Sequence, residues 1–117
     1  MSKSKRMGKQ TVRFDNPPII IESACIVGPK EGEGPLAATF DRVVDDLYFG
    51  EKSYEKAERK FLEESVKLVL RKQNLQSTDI DFFLAGDLLN QLISANFAAG
   101  SLGIPFLGIF GACSTMA

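Results

Sequence analysis

The stretch Gly103-Ile-Pro-Phe-Leu-Gly-Ile-Phe-Gly-Ala-Cys-Ser-Thr-Met-Ala117 sets the fold class of this chain. Its apolar run, residues 106–110, is bounded by a proline and glycines and opens onto Cys113 and two hydroxyl residues. That order predicts a buried strand, a tight turn and the first turn of a helix. Cys113 then lies at a helix N-terminus, where unpaired backbone N–H groups and the dipole favour a thiolate and offer donors to an oxyanion. The sequence stops inside that first turn without a cap, so the expectation is a chain truncated within the helix after Cys113.

Working back, residues 88–102 are apolar around much of their girth and end at Gly103, which predicts an interior helix. Before it, residues 81–86 read as a strand, parallel to 106–110 through a right-handed crossover. Asp87, Asn90 and Gln91 follow at that strand's C-terminal end, where open α/β sheets bind ligands. Asp87 and Asn90 are also good caps for the helix that follows.

Ser53 is an N-cap for a helix to about residue 73, with Tyr54, Ala57, Phe61, Leu62, Ser65, Leu68 and Val69 facing inward and Asn74 in the left-handed cap position. Glu55 with Arg59 and Glu63 with Lys67 are spaced as i,i+4 pairs, each worth about 0.3 kcal/mol. Pro35, at a first helical position, opens another amphipathic helix through Leu36, Phe40, Val43, Val44 and Leu47, and residues 28–34 are a loop by composition. Residues 19–27 are β-branched and nearly continuous in apolar character, the mark of a strand buried on both faces; Cys25 is a core residue in it. The expected domains are a basic arm or edge strand, 1–15, and a half-domain, 16–117. The class is α/β, a mainly parallel sheet with covering helices, incomplete as it stands.

Composition, 44% hydrophobic and 25% charged, is that of a soluble globular domain. A net charge of −1 gives no reason to expect nucleic acid or an anionic membrane as the main partner. No apolar run approaches the roughly 18 residues of a membrane span. Two cysteines and no histidine leave no metal site to expect, and they remove the Ser-His-Asp and Cys-His arrangements from these residues.

Asp79-Ile-Asp81, Gly86-Asp-Leu-Leu-Asn-Gln91, Gly103-Ile-Pro105 and Gly111-Ala-Cys-Ser-Thr115, in this order of elements, resemble the N-terminal half of the thiolase-fold superfamily. With the Gly28-Pro-Lys30 loop they resemble, more closely, the stage V sporulation protein AD family of spore-forming bacteria. The resemblance implies a protein that binds dipicolinic acid and assists its uptake into the spore, with membrane-channel proteins as partners. It implies a cytoplasmic or forespore location, peripheral to the spore inner membrane, and no cofactor, with calcium only as the counter-ion of dipicolinate. It places Cys113 on the thiolases' catalytic cysteine, puts Asp87, Asn90 and Gln91 on the loop bordering the same pocket, and implies a homodimer paired through residues 106–110.

Two functions follow. In the first, the pocket is a receptor: N–H groups near Cys113 with the hydroxyls of Ser114 and Thr115 suit one carboxylate of a planar dianion, and Lys30, Arg42 or a cation outside this chain meets the other. In the second, Cys113 is the nucleophile of an acyl-thioester transferring or condensing enzyme. The absent histidines weigh against the second. Ser114-Thr115-Met116 also replaces the glycine-containing sequence common after the thiolase cysteine.

Overall fold

The computed structural model of the protein describes residues 5–116. Its backbone runs through strands β1 (Arg6–Met7), β2 (Thr11–Val12) and β3 (Ile26–Val27), a short helix α1 (Pro29–Gly32) and strand β4 (Arg42–Val43). Helix α2 (Tyr54–Lys72), strand β5 (Phe83–Ala85), helix α3 (Ile93–Leu102) and strand β6 (Phe106–Gly108) follow, and a 3-10 turn spans Ala112–Met116. The class is mixed α/β.

α2 forms where its end signals place it. Ser53 is extended and its Oγ accepts from Lys56 N at 3.4 Å. At the other end Asn74 is left-handed (φ 55°), so that its N–H reaches Arg71 O and Leu75 N–H reaches Leu70 O. These are the paired bonds of a Schellman stop. α2 packs on α3, whose Ala95 and Ala98 are fully buried; small side chains let the two helices approach closely. Arg59 ties them at the rim: its guanidinium donates to Glu63 (2.6 Å) and to Ser101 Oγ (2.7 Å) and lies 5.5 Å from the Phe97 ring centre. The expected pairs Glu55–Arg59 and Glu63–Lys67 are therefore replaced, with Arg59 on Glu63 and Lys67 on Glu64. Tyr54 is also not inward; it stacks on Tyr48 at the surface, ring centres 4.5 Å apart.

β5 and β6 pair in parallel, Phe83 with Phe106, Leu84 with Leu107 and Ala85 with Gly108, and α3 is the crossover. This unit is as expected. One face, with Phe83 and Phe106, packs toward Leu62 of α2 and the buried Ala85, Leu92 and Ala95. The other carries Leu84 and Leu107, both more than half exposed.

The N-terminal third departs from expectation. Residues 35–47 are a 3-10 turn, Ala37–Thr39, followed by β4, which pairs in parallel with β3. Helical spacing loses here to tertiary partners. The Asp41 carboxylate accepts from Cys25 N (2.8 Å) and from Lys72 Nζ (2.9 Å), and Val44 N–H bonds to Val27 O (2.8 Å) with the Val44 side chain buried. β-Branched Val43 and Val44 suit that extended backbone. Pro29 at a first helical position starts α1 inside the predicted loop. Of residues 19–27 only Ile26 and Val27 form a strand. Ile19, Ile20 and Ile21 are 83%, 89% and 67% exposed, because no strand among the described residues lies beside them. Among the described residues the single parallel sheet is likewise replaced by three two-stranded pieces, of which the hairpin β1–β2 is antiparallel.

Candidate functional site

The candidate site is the C-terminal edge of β5 and β6. β5 ends at Ala85, and Gly86 and Asp87 carry the chain over the edge. Asp87 turns inward: Oδ1 accepts from Leu89 N (2.8 Å) and Oδ2 from Ala95 N (2.7 Å). Ala95 is the third residue of α3, so Asp87 supplies the helix cap from well upstream of the helix start. Asn90 is exposed and makes no side-chain hydrogen bond among the described residues. Of the two residues expected as caps, Asp87 alone acts as one.

α3 begins at Ile93 and not at Leu88, because Gln91 (φ 57°, ψ 25°) and Leu92 (φ 54°, ψ 46°) are both left-handed. Each such non-glycine residue costs roughly 1–2 kcal/mol. The reversal drops Leu92 into the core, where it is 2% exposed and lies over Gly108; a Cβ on Gly108 would sit 2.7 Å from Leu92 Cδ1. Burial of Leu92, the Asp87 bonds and a bond from Asn96 Nδ2 to Gln91 O (2.9 Å) offset the strain. The Gln91 side chain stays at the surface.

Behind Asp87 stands a second carboxylate. Glu58 Oε2 lies 3.4 Å from Ser94 Oγ, and Ser94 is 2% exposed. Partial burial, then the negative charge of Asp87, push the Glu58 carboxyl above the usual range. The sequence reading missed Glu58 and Ser94. The signal was there in Glu58 itself, next to the buried Ala57 and four residues before Leu62 on the apolar stripe of α2.

The second wall follows β6. Ala112 is left-handed (φ 47°), and Ala112–Met116 is a 3-10 turn in place of the expected α-helical start. Ser114 closes it, with its N–H and its Oγ both donating to Gly111 O (2.8 and 2.6 Å). Cys113 and Ser114 are exposed; Thr115 is half-buried, 3.5 Å from Ile109 O.

Gly86 brings the walls together. A Cβ there would strike the Ile109 carbonyl and come 3.0 Å from Thr115 Oγ1, so the turn lies directly over the end of β5, beside Asp87. The backbone bond from Ile109 N to Ala85 O (2.9 Å) holds the same seam. The structure thus gathers Asp87 and Thr115 at one edge, with Cys113 and Ser114 outward on the same turn; no hydrogen bond joins either wall to the other's side chains among the described residues. No group of three or more His, Cys, Asp or Glu side chains among the described residues could hold a metal ion.

The family model for stage V sporulation protein AD (SpoVAD) matches residues 8–117. The chain belongs to the stage V sporulation protein AD family. It is 49% identical, over 111 residues and 95% of its own length, to stage V sporulation protein AD of Bacillus subtilis (strain 168). The chain spans about a third of that relative, 33% of its length. A sporulation role goes with the family. No helix among the described residues is long and apolar enough to cross a membrane.

Proposed function

We propose that the β5–β6 edge is part of a receptor pocket for dipicolinic acid, and that the protein assists movement of this dianion into the developing spore. The observation that carries the reading is the packing of Thr115 on Gly86, which sets the Cys113–Thr115 turn beside Asp87 at one sheet edge in a member of a sporulation family. The Ser114 and Thr115 hydroxyls donate to Gly111 O and Ile109 O in the free chain and exchange those bonds for a carboxylate when the ligand binds, and the Asp87 loop forms the facing rim. Cys113 lines the pocket; with no histidine in the 117 residues, the chain supplies no imidazole to make it a nucleophile. The cation for the second carboxylate comes from elsewhere in a full-length family protein, or from calcium accompanying the ligand. The working assembly is a homodimer paired through β6, whose outer edge meets no strand among the described residues and whose Leu107 and neighbouring Phe110 are 54% and 78% exposed. Membrane-channel proteins are its partners at the spore inner membrane.

Alkylation tests the site directly. In a full-length family protein carrying these residues, dipicolinate should slow modification of Cys113 by iodoacetamide, and pyridine, which lacks the carboxylates, should not. Equal Cys113 rates with and without dipicolinate would refute the assignment.

A further inference from the structure

The pocket edge carries a single charge of its own. Between Phe82 and Ala117 the sequence holds no lysine or arginine and one acidic residue, Asp87. β5, α3 and β6 have no ionisable side chain. Any further charge behind Asp87 therefore comes from α2, and the side chain that supplies it is Glu58.

The two carboxylates are held differently. Both Asp87 oxygens accept backbone N–H bonds, from Leu89 (2.8 Å) and Ala95 (2.7 Å). Glu58 makes one long contact, 3.4 Å from Oε2 to Ser94 Oγ, and the same Oγ lies 3.4 Å from Glu55 O. A serine hydroxyl has one proton to donate. While Glu58 is ionised, its carboxylate and the Glu55 carbonyl are both acceptors, and the buried Ser94 hydroxyl serves one of them at a time. A protonated Glu58 resolves the competition: its O–H donates to Ser94 Oγ, and Ser94 donates to Glu55 O. The arrangement has room for one added proton, beside the residue whose N–H holds Asp87.

The charges that face Glu58 act in one direction. Asp87 faces it from the loop before α3, and Glu55 from its own helix. Arg59, next in sequence, is held by Glu63 (2.6 Å) and Ser101 (2.7 Å), and Lys56 is exposed. Burial, then Asp87, already push the Glu58 carboxyl above the usual range, and the Ser94 bond opposes them only in part. A dianion placed beside Asp87 adds negative charge at the same spot and moves Glu58 further up.

We propose that Glu58 is the proton site of this pocket, a positioning residue behind the ligand that takes one proton from solvent when a planar dicarboxylate settles beside Asp87. Through Ser94 and Ala95 it steadies the start of α3 and so the Asp87 rim. The proposal rests on the dipicolinate reading of the edge and adds that binding and protonation are linked. By that linkage the ligand binds the protonated form more tightly, so affinity falls as pH rises.

Calorimetric titration of dipicolinate into a full-length family protein carrying these residues tests this, run in MES and in imidazole at pH values above the ordinary glutamate range. The two buffers differ in ionisation enthalpy, so the difference in heat counts the protons taken up. The parent should take up a proton, approaching one per site, with affinity falling by up to about tenfold per pH unit. Glu58→Gln keeps the Ser94 contact without the charge. It should bind at the higher pH as tightly as the parent does at the lower, and its proton count should drop by the same amount. Protonation of the ligand itself is common to both proteins and cancels in the comparison. No proton uptake by the parent overturns the proposal without reference to the variant. Equal proton counts and equal pH dependence in both proteins, with dipicolinate bound by both, would overturn the proton site and leave the pocket standing. No binding by either protein at any pH would overturn the pocket and the proton site together.

Discussion

Asp87 and Ala95 are joined by a hydrogen bond of 2.7 Å from the backbone N–H of Ala95 to the carboxylate, across a loop that passes through two left-handed residues. The bond fixes where α3 starts and therefore how the loop faces the Cys113 turn. Removing it as Asp87→Ala should lower stability by about 1–2 kcal/mol, the usual range for a lost cap. Asp87→Asn keeps one acceptor and should lose less. Chemical denaturation of the two variants checks the order.

The left-handed pair makes an opposed prediction. Gln91 is exposed, so Gln91→Gly should relieve its backbone strain and raise stability by about 1 kcal/mol. Leu92→Gly relieves similar strain but empties the position over Gly108, and should lower stability by about 2–4 kcal/mol. Melting temperatures that moved in the same direction would contradict this description of the loop.

Two glycines should differ in their tolerance of a methyl group. At Gly108 the added carbon meets the end of the Leu92 side chain, which can shift, so Gly108→Ala should cost about 1–2 kcal/mol. At Gly86 it meets the backbone carbonyl of Ile109, and the loss should exceed that at Gly108. Thermal unfolding of both variants checks this, and Gly86→Ala should also raise the reactivity of Cys113 as the turn lifts from the edge.

Stability should depend on pH through two groups of opposite sign. The Lys72 ammonium, then the Cys25 N–H, hold the Asp41 carboxyl below the usual carboxylate range, and Asp41 in turn raises Lys72. The Asp41 contribution is complete above its unfolded value and is lost as pH falls through the lowered one; the Lys72 contribution is lost as pH rises through its raised one. Glu58 runs the other way. Its raised carboxyl makes the fold bind a proton more tightly than the unfolded chain does, so stability falls as pH rises between the two values. Asp41→Asn should flatten the acid limb of a stability–pH curve. Glu58→Gln should remove the fall above it and stabilise the protein at neutral pH.

The strand–helix–strand unit and α2 were legible because their signals are local. Gly103, Ser53 and Asn74 mark helix ends by chemistry that acts within a turn, and the run 106–110 admits a strand on its own. Residues 35–47 were not, since Leu36, Phe40, Val43 and Leu47 fit helical spacing; Asp41 reaching Cys25 and Lys72 decides the matter, and neither partner is near in sequence. At the candidate site, chain order was enough to bring Asp87 and Thr115 to one edge. Capping of the following helix by Asp87 was legible from its residue type, but its reach to Ala95 past two left-handed residues was not, because that depends on Leu92 reaching Gly108 across the sheet. The 3-10 form of Ala112–Met116 follows from closure of Ser114 on Gly111, which the same residues could have made in a longer helix.

The most direct test of the pocket is calorimetric titration of dipicolinate into a full-length family protein carrying these residues, beside Cys113→Ala and Cys113→Trp. The account predicts saturable binding that survives the alanine and is abolished by the tryptophan, as for a cysteine that lines a receptor. No binding by the parent protein, or binding indifferent to the tryptophan, would contradict it.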